Sequence, residues 1–303
     1  MLSLEEFAHV GSVLADKYLV EGIVAKGGMA LVLAARRLCG NDRVAIKLPL
    51  PNADKDPRSA GRFLREVGTA RRVGPPHTPR VLDTGVRRDG TPYFVMDLLE
   101  GETLAKRLAR AGPLPAEEAV VTLLAACTVV SAVHALGVIH RDVKPANLFL
   151  ELASPGMAAI KLLDFGIASL SADSGCVDPD PWIGSLPYMS PEQLTMPARV
   201  DARSDLWSLG VVLYECLAGQ SPFQAEPAAR ICARILQEPV APLPPWRSDV
   251  PRALERIAQR CLAKRPERRF VSVSALAREL ARLAPVAGRH AHLGARSAHG
   301  ARF

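Results

Sequence analysis

The stretch that most constrains this chain runs from His140 to Asn147 and reads His-Arg-Asp-Val-Lys-Pro-Ala-Asn, with Asp164-Phe165-Gly166 following across a short hairpin. Transfer of a phosphoryl group needs little covalent help, only a positioned hydroxyl and cations that neutralise the migrating charge. Asp142 is the candidate acceptor for a hydroxyl proton. Lys144, two residues on, projects to the same side of an extended loop and places an ammonium beside the migrating group. The octet therefore predicts a loop that serves phosphoryl transfer.

Two further side chains of these motifs are candidate metal ligands. Asn147 and Asp164 offer one neutral and one charged oxygen, and oxygen atoms are the ligands that Mg²⁺ prefers. The octet and Asp-Phe-Gly together resemble the catalytic loop and the metal-binding motif of the protein kinase family. The resemblance implies ATP with Mg²⁺ or Mn²⁺ as cofactors, Asp142 as the base and Lys144 as the group that stabilises the phosphoryl group. Because Lys144 stands within Lys-Pro-Ala-Asn, the loop is most similar to the serine/threonine class.

The resemblance covers nearly the whole chain and implies its fold class and domain organisation. We expect an α+β, two-lobed protein kinase fold, with a small β-rich N-terminal lobe that carries one main helix and a larger, mostly helical C-terminal lobe. The kinase domain is expected over residues 18–283, after an N-terminal extension over 1–17 and before a basic, disordered tail over 284–303. Within the domain we expect the small lobe at about 18–97, the hinge at about 97–101 and the large lobe at about 102–283.

A glycine-containing hairpin is predicted between strands at Tyr18–Ile23 and Leu31–Ala35, where its backbone N–H groups would lie over phosphates. The family pattern is Gly-x-Gly-x-x-Gly-x-Val, and alignment on Val32 puts Ala25 and Ala30 at the first and third glycines. Alanine can replace glycine where φ is negative but costs energy where φ is positive, so the backbone conformation decides whether these alanines alter nucleotide affinity or loop mobility. The resemblance assigns these nucleotide contacts: Ala25, Lys26, Gly27, Gly28, Met29, Val32, Ala45, Lys47, Met96, Asp97, Leu99 and Phe149.

A predicted strand and a predicted helix carry the expected phosphate clamp. Val44 to Lys47 reads as a strand, and the stretch from Asp56 to Val73 has an apolar stripe at helical spacing. The resemblance makes Lys47 the lysine that binds the α- and β-phosphates and Glu66 its ion-pair partner. Without the resemblance, Glu66 is equally well interpreted as one more charged residue in a stretch where Arg and Glu alternate.

The resemblance also places the adenine between three features. Met96 is expected at the back of its pocket, and the hinge at residues 97–99 is expected to hydrogen-bond its edge through the backbone. Phe149 is expected to pack beneath the ring. Beyond the hinge, a short helix is predicted at Glu102–Ala111 and a long buried helix at Pro115–Leu136.

The segment from Ile167 to Glu192 resembles an activation segment with its closing motif. Ser185 stands where the family has a substrate-facing threonine, and it keeps the hydroxyl. Arg141, directly before the base, indicates regulation by a phosphorylated residue, because a guanidinium binds phosphate in bidentate fashion. The serine candidates are Ser169, Ser171 and Ser174. Alternatively, a permanent negative charge comes from Asp173, Asp178 or Asp180.

Three residues are expected to support the site from the large lobe. Asp205 begins an apolar helix, and the resemblance implies that it caps the backbone of the catalytic loop. Glu192 and Arg269 match a family ion pair that ties the activation segment to the late helices. Such buried pairs act as positional devices more than as sources of stability.

Composition excludes several other classes of protein. The net charge of the chain is +7, and three of these positive charges are arginines in the acid-free tail after residue 283. The rest of the chain therefore has a net charge of +4, which does not predict nucleic-acid binding. The six cysteines show no Cys-x-x-Cys spacing and predict neither a disulfide framework nor a zinc site. We expect a reducing, cytoplasmic setting without a secretory signal.

One segment resembles a membrane span. Residues 119–139 contain no Asp, Glu, Lys or Arg and are long enough to cross a bilayer. They also contain Thr122, Thr128, Ser131 and His134 and lead directly into the catalytic loop, so we expect a buried helix. Nothing after Leu283 is expected to serve as a membrane helix.

Two other functions compete with a serine/threonine protein kinase. A pseudokinase that binds nucleotide and regulates a partner is supported only by Ala25 and Ala30. A small-molecule kinase of similar fold is disfavoured by Ser190-Pro191-Glu192, since that motif serves protein substrates. Ala146 stands where arginine-directed kinases commonly have glutamate, so we expect no demand for arginine three residues before the acceptor. The short Ala- and Arg-rich helices are most similar to the bacterial branch, and the sequence indicates neither the substrates nor the oligomeric state.

Overall fold

The computed structural model describes residues 9–27, 30–50, 58–151, 159–165, 184–225 and 227–284. They divide into two compact units. The first unit comprises residues 1–100 with 164–169, and the second comprises residues 101–163 with 170–303.

The first unit is an antiparallel sheet of six strands with one helix. Its strands follow the order β1-β2-β3-β4-β6-β5 in space, so β6 lies between β4 and β5. The elements are β1 (Val13–Leu14), β2 (Tyr18–Lys26), β3 (Ala30–Arg37), β4 (Arg43–Pro49), α1 (Arg58–Val73), β5 (Val81–Val86) and β6 (Pro92–Asp97).

The core of this unit lies on one face of the sheet, where aliphatic side chains alternate with outward-facing ones. Leu31 and Leu33 of β3 are fully buried, as are Ile46 and Leu48 of β4. Each such side chain contributes roughly 1.5–3 kcal/mol when it leaves water. The side chains on the other face of β4, Ala45 and Lys47, are also buried, which is unusual for a lysine and marks this face as the site.

Helix α1 packs on the sheet through the stripe that the sequence predicts. Phe63 and Val67 are buried, and the rings of Phe63 and Phe94 lie 5.3 Å apart between centroids. Ala70 is half-buried. The helix thus turns the intervening Glu66 toward the sheet as well.

The sequence-based bounds of two strands in this unit are too short. Strands β2 and β3 extend to Lys26 and Arg37, because their cross-strand pairing continues past the predicted ends. Strand β1, two residues long, was not predicted; it lies within the expected N-terminal extension and pairs with β2.

The second unit is mainly helical, with a three-stranded sheet of order β7-β8-β9. Its first half contains β7 (Gly101–Thr103), α2 (Leu104–Ala111), α3 (Ala116–Ala135), β8 (Leu148–Glu151) and β9 (Ala159–Leu162). Its second half contains α4 (Pro191–Thr195), α5 (Arg203–Ala218), α6 (Ala228–Leu236), α7 (Arg252–Cys261) and α8 (Val273–Ala281).

Helices α3 and α5 form the interior of this unit. By length and composition alone, helix α3 could cross a membrane. However, 56% of its most apolar 18-residue stretch is buried within the protein. Helix α5 buries nearly every residue, and its Trp207 ring stacks on Phe223 at 5.2 Å. Gly210 of α5 has no room for a Cβ, because Cys261 of α7 lies against it. A glycine is therefore required where these two helices cross.

Two helices differ from the sequence-based expectation. The helix predicted from Glu102 begins at Leu104, because Gly101–Thr103 pairs with β8 and the Thr103 side chain accepts a hydrogen bond from the Lys106 backbone at the helix start. Helix α6 was not predicted, although Ile231 and Ile235 are buried at a spacing of one helical turn.

Candidate active site

The candidate catalytic loop, residues 140–147, lies between α3 and β8, and the carboxylate of Asp205 holds its backbone. This carboxylate is fully buried and accepts the backbone N–H groups of His140 at 2.9 Å and Arg141 at 2.8 Å. Arg141 has a φ of +65°, a left-handed conformation that a non-glycine residue adopts only when its surroundings impose it. Asp205 therefore holds the loop backbone at Arg141, the residue with the unfavourable left-handed conformation.

A histidine that the sequence analysis did not assign completes this support. Nε2 of His134, from the last turn of α3, lies 2.7 Å from Oδ2 of Asp205. Burial alone would raise the pKa of Asp205, but the contacts with His134 and His140 outweigh it and hold this pKa below its usual range. The carboxylate is thus ionised. A polar residue at the end of an apolar helix, directly before the loop, was the available sequence signal.

Asp142, Lys144 and Ser185 are brought together in the second unit. Nζ of Lys144 donates to Oδ2 of Asp142 at 2.7 Å and to Oγ of Ser185 at 2.6 Å. Ser185 is the residue that the resemblance assigns to face the substrate. The ammonium therefore lies between the candidate base and a hydroxyl, where a transferring phosphate would need positive charge.

Asn147 orients the base and keeps an oxygen for a cation. Its Nδ2 donates to the backbone oxygen of Asp142 at 2.9 Å and to Oδ2 of Asp142 at 3.0 Å. Because the amide nitrogen makes both hydrogen bonds, the amide oxygen is the atom left for a metal. This donor suits the oxygen-ligand chemistry of Mg²⁺.

In the first unit, Lys47 lies between two carboxylates. Its Nζ is 2.5 Å from Oε1 of Glu66 and 3.3 Å from Oδ2 of Asp164. The side chains of Lys47 and Glu66 are each only 8% exposed, whereas that of Asp164 is 44% exposed. The predicted pairing of Lys47 with Glu66 is thus present as a contact, and α1 supplies it.

The charges of this cluster are unequal. Burial alone would lower the pKa of Lys47, but the negative charges of Asp164 and Glu66 raise it, so the ammonium is retained. Burial together with the charge of Asp164 raises the pKa of Glu66, against the opposing effect of Lys47. Lys47 therefore contacts two carboxylates, of which that of Asp164 is the more exposed. Asp164 has a φ of +62°, as a residue held in a functional conformation often does.

The strands under the predicted nucleotide loop bring several assigned residues opposite one another. Ala25 pairs with Val32 across β2 and β3, and Gly27 donates its backbone N–H to Ala30 at 2.8 Å. Neither Ala25 nor Ala30 is among the residues with positive φ. Both alanines therefore have the backbone conformation in which alanine can replace glycine. Gly28 and Met29 lie outside the described residues.

The remaining nucleotide-site assignments fall on two strands and the chain after them. Ala45 of β4 pairs with Met96 of β6, and the Asp97 carboxylate accepts the backbone N–H of Arg80 at 3.1 Å. Lys26 is exposed, and Leu99, after β6, is half-buried. Phe149 belongs to the second unit, where it pairs with Thr103 and Lys161.

The end of the activation segment is fixed by a buried ion pair. Arg269 donates from Nη1 and Nη2 to the two carboxylate oxygens of Glu192, and Ser204 donates to the same carboxylate at 2.6 Å. Burial would raise the pKa of Glu192, but Arg269 outweighs it and lowers this pKa. The predicted partners thus meet. The serine candidates Ser169, Ser171 and Ser174 lie outside the described residues.

Two further links were missed by the sequence analysis. The hydroxyl of Tyr188 donates to Glu215 of α5 at 2.7 Å, and the side chain of Gln193 donates to the backbone oxygen of Arg141 at 2.9 Å. Both join the activation segment to elements far away in sequence. Periodicity within one segment carries no signal for such pairs.

Comparison with known proteins gives a consistent result. Residues 18–280 match the family model described as protein kinase domain. The chain is 35% identical over 287 residues to serine/threonine-protein kinase pkn3 of Myxococcus xanthus, which covers 90% of this chain and 51% of that protein. It is 35% identical over 274 residues to serine/threonine-protein kinase PknB of Mycobacterium leprae, covering 89% of this chain and 43% of that protein. The chain therefore spans about half the length of these relatives or less.

A solved structure is similar in fold as well. The crystal structure of the PknI kinase domain from Mycobacterium tuberculosis matches with a TM-score of 0.68 and 26% sequence identity. The match covers 93% of this chain and 100% of that domain.

Proposed function

This chain belongs to the protein kinase family, and we propose that it transfers the γ-phosphate of ATP to serine and threonine hydroxyls of proteins. The family and the protein kinase fold expected from the sequence are confirmed by the family match and the solved PknI domain. The observation that carries the proposed activity is the position of Lys144 between Asp142 and Ser185, at 2.7 and 2.6 Å.

The proposed mechanism assigns the proton to Asp142. Oδ2 of Asp142 already accepts from Lys144 and Asn147, so Oδ1 is the atom that would take the proton of the attacking hydroxyl. With its orientation fixed by two donors, the base needs no rearrangement at the moment of transfer. Lys144 stabilises the negative charge of the phosphoryl group as it passes.

The proposed nucleotide clamp uses Lys47, oriented by Glu66, for the α- and β-phosphates. The resemblance assigns Mg²⁺ or Mn²⁺ to Asn147 and Asp164. In Asn147 the amide nitrogen makes the hydrogen bonds to Asp142, which leaves the amide oxygen as the donor, and the carboxylate of Asp164 is 44% exposed. When bound, the metal ion neutralises charge on the transferring phosphate. Contacts from Ala25, Val32, Ala45, Met96 and Phe149 to the nucleotide remain part of this proposal.

The substrates are proposed to be proteins, including the chain itself. The buried Glu192–Arg269 pair supports this, because it fixes the end of a segment whose family role is to receive a peptide. Arg141 is proposed to bind a negative charge from the activation segment. We place the activity in the cytoplasm, which the free thiols of Cys39, Cys127, Cys216, Cys232 and Cys261 support.

The test is transfer of radiolabel from γ-labelled ATP with Mg²⁺ to a generic protein substrate and to the chain itself. Acid hydrolysis of the product should yield labelled phosphoserine or phosphothreonine and no phosphotyrosine. Omission of Mg²⁺ in the presence of a chelator should abolish labelling. Nucleotide binding without any label transfer, also after addition of Mn²⁺, would contradict the proposal and indicate a pseudokinase.

A further inference from the structure

A small basic cleft lies in the second unit, formed by α7, α8 and the residues that join them. Its volume is about 220 Å³, and Arg260, Phe270, Val271 and Arg278 are among the residues that line it. None of them is assigned to nucleotide, metal or the transferred phosphate. The volume is below the roughly 300–1,000 Å³ of small-molecule sites, so it suits one or two side chains of a peptide.

The cleft carries net positive charge. Arg282 donates two hydrogen bonds to Glu279, at 2.7 and 2.8 Å, so this acid is already neutralised. The guanidinium groups of Arg260 and Arg278 have no ion-pair partner among the residues that the structure describes. Two arginines are therefore available for carboxylates.

One of these arginines is held in place by an aromatic ring. The guanidinium carbon of Arg260 lies 4.2 Å from the centroid of the Phe270 ring, which is itself buried. A guanidinium stacked on a ring keeps its in-plane N–H groups free for a carboxylate, and it loses less side-chain entropy on binding. Arg260 is thus prepared to receive an anion.

The cleft also exposes an apolar side chain. Val271 is 75% exposed, the largest exposed fraction among the large hydrophobic residues described. Its position beside the arginines indicates a ligand that combines carboxylates with apolar side chains. An isolated inorganic anion would leave this wall in water.

A segment of this chain has that chemistry. Residues 173–182 read Asp-Ser-Gly-Cys-Val-Asp-Pro-Asp-Pro-Trp, with three aspartates, no Lys or Arg, and Val177 and Trp182 among them. We propose that the cleft of one copy binds residues 173–182 of a second copy. Carboxylates of the segment pair with Arg260 and Arg278, and an apolar side chain covers Val271.

The test is association of the full chain, measured by sedimentation without nucleotide. All chains carry Asp142→Asn, so no phosphate alters their charge and the result does not depend on the proposed kinase activity. The chain should associate as its concentration rises into the micromolar range and dissociate at high salt, since exposed charge pairs are screened. The variant R260A/R278A should bind at least about tenfold more weakly, as expected when charge-assisted contacts are lost.

A matched control removes the same charge from the same unit. Arg252 and Arg256 are exposed residues of α7, two turns and one turn before Arg260 respectively, and do not line the cleft. The variant R252A/R256A should associate like the parent chain. Equal weakening by both arginine pairs would reduce the effect to net charge and overturn the proposal.

Complementation tests the direction of the contact. The variant D173N/D178N/D180N keeps the arginines of the cleft but loses the carboxylates of residues 173–182. The variant R260A/R278A keeps those carboxylates but loses the arginines. Each should be monomeric alone, and an equimolar mixture should form a one-to-one complex. The proposal is overturned by a mixture that stays monomeric, or by a parent chain that stays monomeric over the same concentration range.

Discussion

Arg269 donates two hydrogen bonds to the carboxylate of Glu192, from Nη1 to Oε1 at 2.6 Å and from Nη2 to Oε2 at 2.8 Å. The two side chains are 0% and 6% exposed. A buried ion pair of this kind stabilises the fold little more than a pair of apolar side chains would. Removal of one member is nevertheless costly, because the other charge is left buried without a partner.

We therefore predict that Glu192→Ala lowers the free energy of unfolding by about 3 kcal/mol. Urea denaturation at neutral pH measures it. Glu238→Gln is the control, because its pair with Arg230 is exposed and such pairs contribute at most about 1 kcal/mol. A loss no greater than that of the control would contradict the account of this pair.

The same pair has a pH signature. Because the folded protein lowers the pKa of Glu192, the stabilisation is complete above the unfolded pKa of a glutamate, about 4.3, and declines as pH falls through the lower folded value. The difference between the parent protein and Glu192→Ala should be constant from neutral to mildly acidic pH and shrink only in stronger acid.

Asp205→Asn should reduce turnover without changing nucleotide affinity. An amide presents a donor where the carboxylate accepted a backbone N–H, so Arg141 loses support for its left-handed conformation. A loss of about 1.4 kcal/mol in positioning corresponds to a tenfold lower kcat. Steady-state kinetics and nucleotide titration separate the two effects. Asp201→Asn, an exposed change just before α5, should leave both unchanged.

Ala25→Gly and Ala30→Gly should not improve ATP affinity. Both alanines lie in strands, and neither has a positive φ, so glycine relieves no strain. Each glycine should instead destabilise the protein by roughly 0.5–1 kcal/mol through its greater freedom when unfolded. Calorimetric titration with ATP and thermal unfolding measure the two quantities. A markedly tighter ATP complex would show that the alanines limit the loop.

Peptide specificity should show no dominant arginine three residues before the acceptor. Ala146 is exposed and offers no charge at the position where arginine-directed kinases have glutamate. Ala146→Glu should introduce a preference of a few-fold, since an exposed ion pair contributes about 0.2–1 kcal/mol. A positional peptide library applied to both forms measures the change. A strong arginine preference in the parent chain would refute this assignment.

The local elements of the site could be predicted because their signals lie in short windows. The octet at 140–147 keeps its chemistry within one loop, and the stripe of Phe63 and Val67 orients Glu66 toward Lys47. Helical spacing indicated which face of α1 is buried, and the resemblance to the family assigned the roles of Glu66 and Lys47.

The contacts that the sequence analysis missed depend on packing between distant segments. Tyr188 meets Glu215 and His134 meets Asp205 only because α3, α5 and the activation segment share one core. Strand β7 was predicted as helix because Glu102 and Thr103 suit either state, and pairing with β8 decided between them. Tertiary context overrides weak local preference in such places.

The most direct test of the central claim is a comparison of kcat for phosphate transfer between the parent protein and Asp142→Asn, with ATP affinity measured in parallel. Loss of the base should lower kcat by about 10²–10⁴-fold while ATP binding stays unchanged. Asp201→Asn serves as the matched control. Equal rates for the parent protein and Asp142→Asn, or no transfer by either under conditions where ATP binds, would contradict the assignment of this loop as the catalytic centre.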